Sequence, residues 1–286
     1  MADLTEGECR YLFSHICEPG DTRINKLSES YEWNELLNNH KVLPDAYLSK
    51  LKELDWTKIL SNFSKENYIW PDTEFWPSQL QDLGHRTPLG LWYRGDMQAL
   101  NPISIAIVGS RSASVYGENI AADLAMKLST LKIDVVSGGA FGIDAAAHHG
   151  ALVAEGKTVA IMAGGVDVPY PKSNSHLFER IAKSGLILSE VPPQTIPIRH
   201  RFLIRNRLIA ALSRATLVVE ARIKSGAMST AGEATSIGRD VMAIPGSIHS
   251  ASSAGCHQLI RDGAILVTEV SEICELIVGD YPQYSH

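Results

Sequence analysis

The spacing of apolar positions changes character twice along the chain. Up to about residue 70 they recur three and four positions apart, in "RYLFSHI", in "YEWNELLNNH" and over the longer "PDAYLSKLKELDWTKILSNF". That period predicts short amphipathic helices, with "EPGD" (Glu18 to Asp21) as a turn between the first two. The segment "YIWPDTEFWPSQLQDLGHRTPLGLWYRGD" follows, with three prolines and, between Tyr68 and Tyr93, six aromatics. It predicts a packed connector leading into one strand, "LGLWYRG". Such aromatics have the chemistry of a base-stacking platform, but large aromatic side chains serve more often as buried packing groups, and that is the expectation here.

From Ile103 onward apolar strand-like runs alternate with helical ones: "ISIAIVG", "IDVVSGG", "TVAIMAGG", "LILSE", "ATLVVEA", "DVMAIPG" and "AILVT", with "YGENIAADLAMKLSTL" and "GIDAAAHHGALVAEG" among the intervening helices. The alternation specifies parallel β-α-β units. The strands are continuous apolar runs, as strands buried on both faces should be. The expected fold is α/β, an extended Rossmann-like doubly wound and mostly parallel sheet preceded by a small helical N-terminal domain. The expected boundaries are 1–70 for the helical domain, 71–280 for the sheet domain and 281–286 for a C-terminal tail.

Composition narrows the class. The chain has 286 residues, 45% hydrophobic and 20% charged, with a formal net charge of −6. This describes a globular protein with ample core and argues against a general polyanion-coating protein, while leaving room for a local basic cleft. The four cysteines (Cys9, Cys17, Cys256 and Cys274) have no metal or redox spacing. No apolar run approaches ~18 residues, so no membrane span is expected. The start, "MADLTEGECRYLF", lacks a signal-peptide pattern, and the expected location is cytoplasmic.

Ligands on doubly wound sheets bind beyond the carboxyl ends of the strands. The residues expected there are Gly109, Ser110 and Arg111 after the first strand of the regular region, and Ser137, Gly138, Gly139 and Phe141 after the second. Lys172 follows the third. "RHRFLIRNR", with Arg199, Arg201, Arg205, Asn206 and Arg207, follows "LILSE"; Lys224, Ser225 and Gly226 follow "ATLVVEA". Small residues at helix starts offer free N–H groups to anions, and arginine and lysine add charge. Singly these signals are weak, because glycines serve tight turns and charge runs are usually solvated faces. Their convergence on one sheet edge points to a phosphate-bearing ligand.

Catalytic signals are poorer. Asp144 and His148 share a helix face, but no third metal ligand stands at a recognisable spacing, so a structural role such as capping is expected. Ser110, Ser137 and Ser225 sit in no G-x-S-x-G elbow, and no G-x-x-x-x-G-K-[ST] loop is present. No cofactor or metal is expected, and no enzyme activity.

Taken in order, "VGSR…S…YG", "SGGAFGIDAAAH…AL", "YPKSN", "LSE", "RNRLIAALS", "VVEA…SGAMSTA", "AIPG" and "GC…LI…GA" resemble the DNA-processing protein A (DprA/Smf) family over about residues 75 to 270. The resemblance implies a homodimeric, non-catalytic protein that binds single-stranded DNA, protects incoming strands and loads a RecA-type recombinase in natural transformation. It implies DNA-binding roles for Gly109-Ser110-Arg111 and Lys172. Arg111, where a dinucleotide loop has its second glycine, suits a pocket for DNA phosphates. Two departures stand out: "FLIRNR" replaces the family's usual Phe-Pro-x-Arg-Asn-Arg, which lets the helix start earlier, and only "SEICELIVGDYPQYSH" follows the last strand, where many members carry a winged-helix-like domain. The alternative is a phosphoribohydrolase-like enzyme of related fold, whose Pro-Gly-Gly-x-Gly-Thr-x-x-Glu signature survives only in part as "SGAMSTAGE".

Overall fold

Thr5 and Glu8 form a capping box: the Thr5 hydroxyl accepts from the Glu8 N–H at 3.3 Å, and the Glu8 carboxylate accepts from the Thr5 N–H at 2.8 Å. They start α1 (Glu6–Ile16), which α2 (Arg23–Leu27), α3 (Trp33–Asn38), α4 (Asp45–Glu53) and α5 (Trp56–Phe63) follow. The computed structural model describes residues 3–39, 41–63 and 67–278. Cys9, Leu12, Phe13 and Ile16 of α1 pack with Leu36, Leu37, Tyr47 and Leu51, and Leu89 of the connector joins that cluster. The long amphipathic stretch is two helices rather than one. Asp55 accepts the Lys58 N–H at 3.0 Å, so a side-chain cap starts α5 there.

The connector follows the packing expectation only in part: Trp70, Trp76 and Tyr93 are half-buried and Phe75 is exposed. Tyr68 and Trp92 are buried beside Tyr11, and the Tyr68 hydroxyl lies 2.9 Å from that of Ser14. Tyr68 and Ile69 also form a strand that the connector pattern does not predict, β1 (Tyr68–Ile69), paired antiparallel to β2 (Leu91–Gly95).

The seven apolar runs are all strands: β3 (Ser104–Val108), β4 (Asp134–Ser137), β5 (Thr158–Met162), β6 (Leu186–Ser189), β7 (Ala215–Val218), β8 (Asp240–Ala243) and β9 (Ile265–Leu266). Among the described residues one nine-stranded sheet forms, in the order β1-β2-β6-β5-β4-β3-β7-β8-β9. β3 to β9 are parallel, and β2 joins β6 antiparallel. Successive strand residues point to opposite faces. Ile105 and Ile107 accordingly meet α6 (Val115–Thr130) and α7 (Ile143–Val153). Ala106 and Val108 meet the other layer, which contains α9 (Arg199–Ala211) and α10 (Gly226–Ser236). Between these in sequence, α8 (Ser175–Ser184) packs on Ala160, Met162 and Ile187; α11 (Ala254–Arg261) and α12 (Val270–Val278) complete the order. From β3 the chain builds outward to β6, then crosses back to lay β7 on the other side of β3. The strand order therefore reverses between β3 and β7, the position at which a doubly wound sheet opens a crevice. The expected tail, 281–286, lies outside the described residues.

Candidate nucleic-acid interface

A cleft of about 800 Å³ opens at that reversal. One wall is the loop after β3. A Cβ on Gly109 would lie 2.5 Å from Ile143 and 2.9 Å from the Glu220 carbonyl, so only glycine lets the strand end pass between α7 and β7. The Ser110 N–H donates to that carbonyl at 2.7 Å, and the Ser110 carbonyl accepts from Ile143 at 3.2 Å. Glu220 also accepts from the N–H and hydroxyl of Ser114, at 2.9 and 2.6 Å, while the Ser114 hydroxyl caps α6 by accepting from Gly117. A loop tied at both ends presents Arg111 at its exposed tip, with its guanidinium carbon 5.2 Å from the Phe202 ring centre.

The facing walls come from α9 and from the turn into α10. Phe202, Arg205 and Asn206 line the cleft, as do Arg222, Lys224, Ser225 and Gly226. No side chain caps the start of α9, whereas at α10 the Ser225 hydroxyl accepts from Met228 at 3.5 Å. Asn206 donates to the Gly226 carbonyl at 3.2 Å, joining the two walls. A Cβ on Gly226 would meet nothing within 4 Å, so its place in the cleft is open. Arg111, Arg199, Arg222 and Lys224 are exposed cleft residues, and none of them forms an ion pair among the described residues. Four exposed cations without ion-pair partners among the described residues thus converge on one cleft of a chain whose formal net charge is −6.

Some expected residues have other partners. Arg205 is 6% exposed: its guanidinium lies under the α-carbon of Gly138 and donates to the Ile161 carbonyl. Arg205 thus shapes the floor of the cleft. Asp144 beside it accepts from the N–H groups of Gly138 and Ala140, at 3.2 and 3.4 Å. Burial raises its carboxyl above the usual range, against the pull of Arg205. Asp144 is therefore a fastener of the glycine loop. His148 is buried, bonded to the Thr158 hydroxyl at 2.7 Å, and burial lowers it to about 3. Both residues are structural.

Ser137 needs correction as a surface contact: it is fully buried and donates to the Ile107 carbonyl at 2.7 Å. Arg207 needs the same correction. It lies on the far face of α9 and donates to Glu190 at 2.6 Å and to the Arg86 carbonyl at 3.0 Å. Gly138 and Gly139 lie behind the cleft lining, and Gly139 turns with φ +66° against the Phe178 ring. Phe141 is 48% exposed beside the lining residue Ala140. Lys172 is exposed on the turn after Pro171, outside the lining, although Tyr170 is within it. Tyr170 and Phe202 are not among the expected contacts, yet their rings lie 5.1 Å apart in the cleft. Arg222, directly after "VVEA", carries a signal in its place at a strand end. α9 begins at Arg199, three residues before Phe202, and Leu203 and Ile204 of "FLIRNR" lie inside it.

These features define a doubly wound α/β protein with a cationic, aromatic-lined cleft at its switch point. The chain belongs to the DNA recombination-mediator protein A family, whose model matches residues 67–278. It is 47% identical over 234 residues to a Mycobacterium tuberculosis protein named for DNA processing protein DprA, covering 75% of this chain and 60% of that one. The chain thus spans about three fifths of that relative's length. The crystal structure of DNA processing protein A from Streptococcus pneumoniae is 33% identical, with a TM-score of 0.85 over 95% of this chain and 98% of that one. The Helicobacter pylori DNA processing protein A, whose structure is described for its single-stranded DNA binding mode, is 31% identical, with a TM-score of 0.68 over 76% of this chain and 99% of that one. Among the described residues no helix is long and apolar enough to cross a membrane.

Proposed function

We propose that this chain is a single-stranded DNA-binding recombination mediator that acts without catalysis or a cofactor, as a homodimer in the cytoplasm. It protects incoming DNA and loads a RecA-type recombinase in natural transformation. The observation that carries the binding reading is the set of unpaired cations, Arg111, Arg199, Arg222 and Lys224, around the Tyr170 and Phe202 rings. Cations hold a phosphate backbone, and ring faces accept unstacked bases of any sequence. A duplex keeps its bases stacked inside and forfeits the second contact. The single-stranded binding described for the Helicobacter pylori relative supports this use of the fold. The recombinase, the homodimer and the biological setting rest on the family resemblance.

Within the proposal, Gly109, Ser110, Arg111, Asn206, Ser225 and Gly226 contact the strand in the cleft, with Arg205 beneath them and Lys172 and Phe141 on its path outside. The division at residue 70 belongs to the proposal too, as the boundary between the helical unit and the DNA-binding one. The phosphoribohydrolase alternative is disfavoured by Glu233. The glutamate of "SGAMSTAGE" is paired with Arg86 at 2.7 Å and does not line the cleft. Fluorescence anisotropy with a labelled single strand and a duplex of equal length tests the reading, with an assay for adenine release from AMP beside it. Preferential retention of the single strand is expected. Equal affinity for duplex, or turnover of AMP without DNA retention, would overthrow it.

A further inference from the structure

Helix α9 has two working faces. At 3.6 residues per turn, successive residues are 100° apart, so Arg201, Ile204 and Arg207 share a side with His200. Phe202, Asn206 and Ile209, all cleft residues, share the opposite side. The first side meets the turn between α1 and α2. Glu18 accepts two hydrogen bonds from Arg201, at 3.0 Å from Nε and 2.9 Å from Nη2, and lies 3.4 Å from His200. Gly20, at φ +73°, donates its N–H to Glu190 at 3.2 Å, and Glu190 in turn accepts from Arg207 at 2.6 Å. A Cβ on Gly20 would stand 3.0 Å from Ile204.

The start of α9 needs that help. Its N-cap is Ile198, with no side-chain cap and no acidic residue in the first turn. Instead the first three helical residues are Arg199, His200 and Arg201. Cations at a helix N-terminus oppose the helix dipole, which favours anions there. Glu18 is the carboxylate beside this turn, and it comes from another part of the chain. The same first turn delivers Arg199, and then Phe202, to the cleft.

We propose that the Glu18–Gly20 turn is a strap that holds the first turns of α9 in place, so that the N-terminal helices set the affinity of the cleft for single-stranded DNA. Glu18 is a positioning residue, acting through Arg201 and the helix. The proposal rests on the DNA-binding reading above. It gives the helical region a role in binding that requires no contact between those helices and DNA.

The sign of one substitution separates this from a simple charge effect. Glu18→Arg removes a negative charge and adds a positive one on a protein that binds a polyanion. Acting only through the field, it would tighten binding. Acting through the strap, it sets a second guanidinium against Arg201 and loosens the first turn. Affinity for a fluorescein-labelled oligothymidylate, measured by anisotropy, should then fall about threefold to tenfold, the scale of one bidentate pair and its dipole complement. The charge swap, Glu18→Arg with Arg201→Glu, should return affinity to within about twofold of wild type. Gly20→Ala, which changes no charge, should weaken binding in the same direction. Thermal melting confirms that each variant is folded, and Glu18→Gln replaces Glu18→Arg if the latter is not. Unchanged or tighter binding by a folded Glu18 variant overturns the strap, as does failure of the swap to restore affinity. Wild-type protein that does not retain the oligonucleotide would instead remove the DNA-binding reading on which the strap rests.

Discussion

The Arg111 guanidinium carbon lies 5.2 Å from the centre of the Phe202 ring, which joins the loop after β3 to helix α9 across the cleft. Tyr170 meets the same ring at 5.1 Å, so a cation and two aromatic faces come from three separate stretches of sequence. If DNA binds here, Arg111→Ala weakens binding for every base sequence and flattens the plot of log affinity against log salt by about 0.7, the counterion share of one phosphate on a single strand. Arg111→Lys keeps the charge but loses the planar group over the ring, and should recover the slope without the full affinity. Salt titrations of wild type and both variants check this. A well-folded Arg111→Ala protein with wild-type slope would put this residue outside the DNA path.

Two glycines of the expected site should respond oppositely to alanine. At Gly138 the new methyl would collide with the buried guanidinium of Arg205, whereas at Gly226 it would meet open space. Gly138→Ala is expected to cost about 1–3 kcal/mol as overpacking. Gly226→Ala, at the start of α10, should leave stability within about 0.5 kcal/mol, yet it crowds the cleft next to Asn206 and should weaken DNA binding. Denaturant melts and anisotropy on the two variants give the comparison. A stable Gly138→Ala protein would mean that Arg205 moves freely, contrary to its place in the floor.

Much of this arrangement is legible in the sequence, because apolar runs of strand length and small residues at strand ends follow from the demands of a sheet covered on both faces. The side that each arginine of "RHRFLIRNR" takes is not. Both faces of α9 carry charge, so no apolar stripe orients the helix; Glu18 and Glu190 hold one side of it, and Tyr170 and Gly226 meet its Phe202 and Asn206 on the other. β1 is hidden for a similar reason. Two residues have no period of their own, and only pairing with Leu91 and Trp92 makes them a strand. The cleft aromatics Tyr170 and Phe202 are 32 residues apart in sequence and meet only in the fold.

Asp134 gives a pH prediction distant from the cleft. It is 6% exposed at the start of β4, and burial raises its carboxyl to about 7, with Lys157 and Lys132 pulling the other way. The unfolded carboxyl titrates near the ordinary value of about 3.9. Between these values the folded Asp134 binds the proton and the unfolded one does not, so its contribution to stability falls as pH rises through that window, opposite in sign to that of buried His148. The cost is absent below about pH 4 and complete above about pH 7, with an upper limit of about 4 kcal/mol from the size of the shift. Asp134→Asn should remove this contribution and raise the urea midpoint at pH 7 more than at pH 4. Urea melts at both pH values test it; parallel losses at the two would show that the carboxylate is not destabilising.

Arg199 and Arg207 stand on the same helix, about two turns apart, and should fail in different ways. Arg199 is exposed at the cleft and has no ion-pair partner among the described residues. Its removal leaves no group unsatisfied, so Arg199→Ala should change stability by less than about 0.5 kcal/mol while flattening the salt slope by about 0.7. Arg207 is 1% exposed and holds Glu190 at 2.6 Å. Arg207→Ala would leave that carboxylate, 13% exposed, without its cation, a loss of about 3 kcal/mol, the lower end for a broken buried pair. Because Arg207 lies outside the cleft, the fraction that remains folded should keep the wild-type slope. Measuring unfolding free energy and salt slope on the same preparations separates the two roles. If Arg207→Ala instead proved stable and flattened the slope, Arg207 would be reaching the DNA itself, and the division of α9 into a strapped face and a cleft face would be wrong.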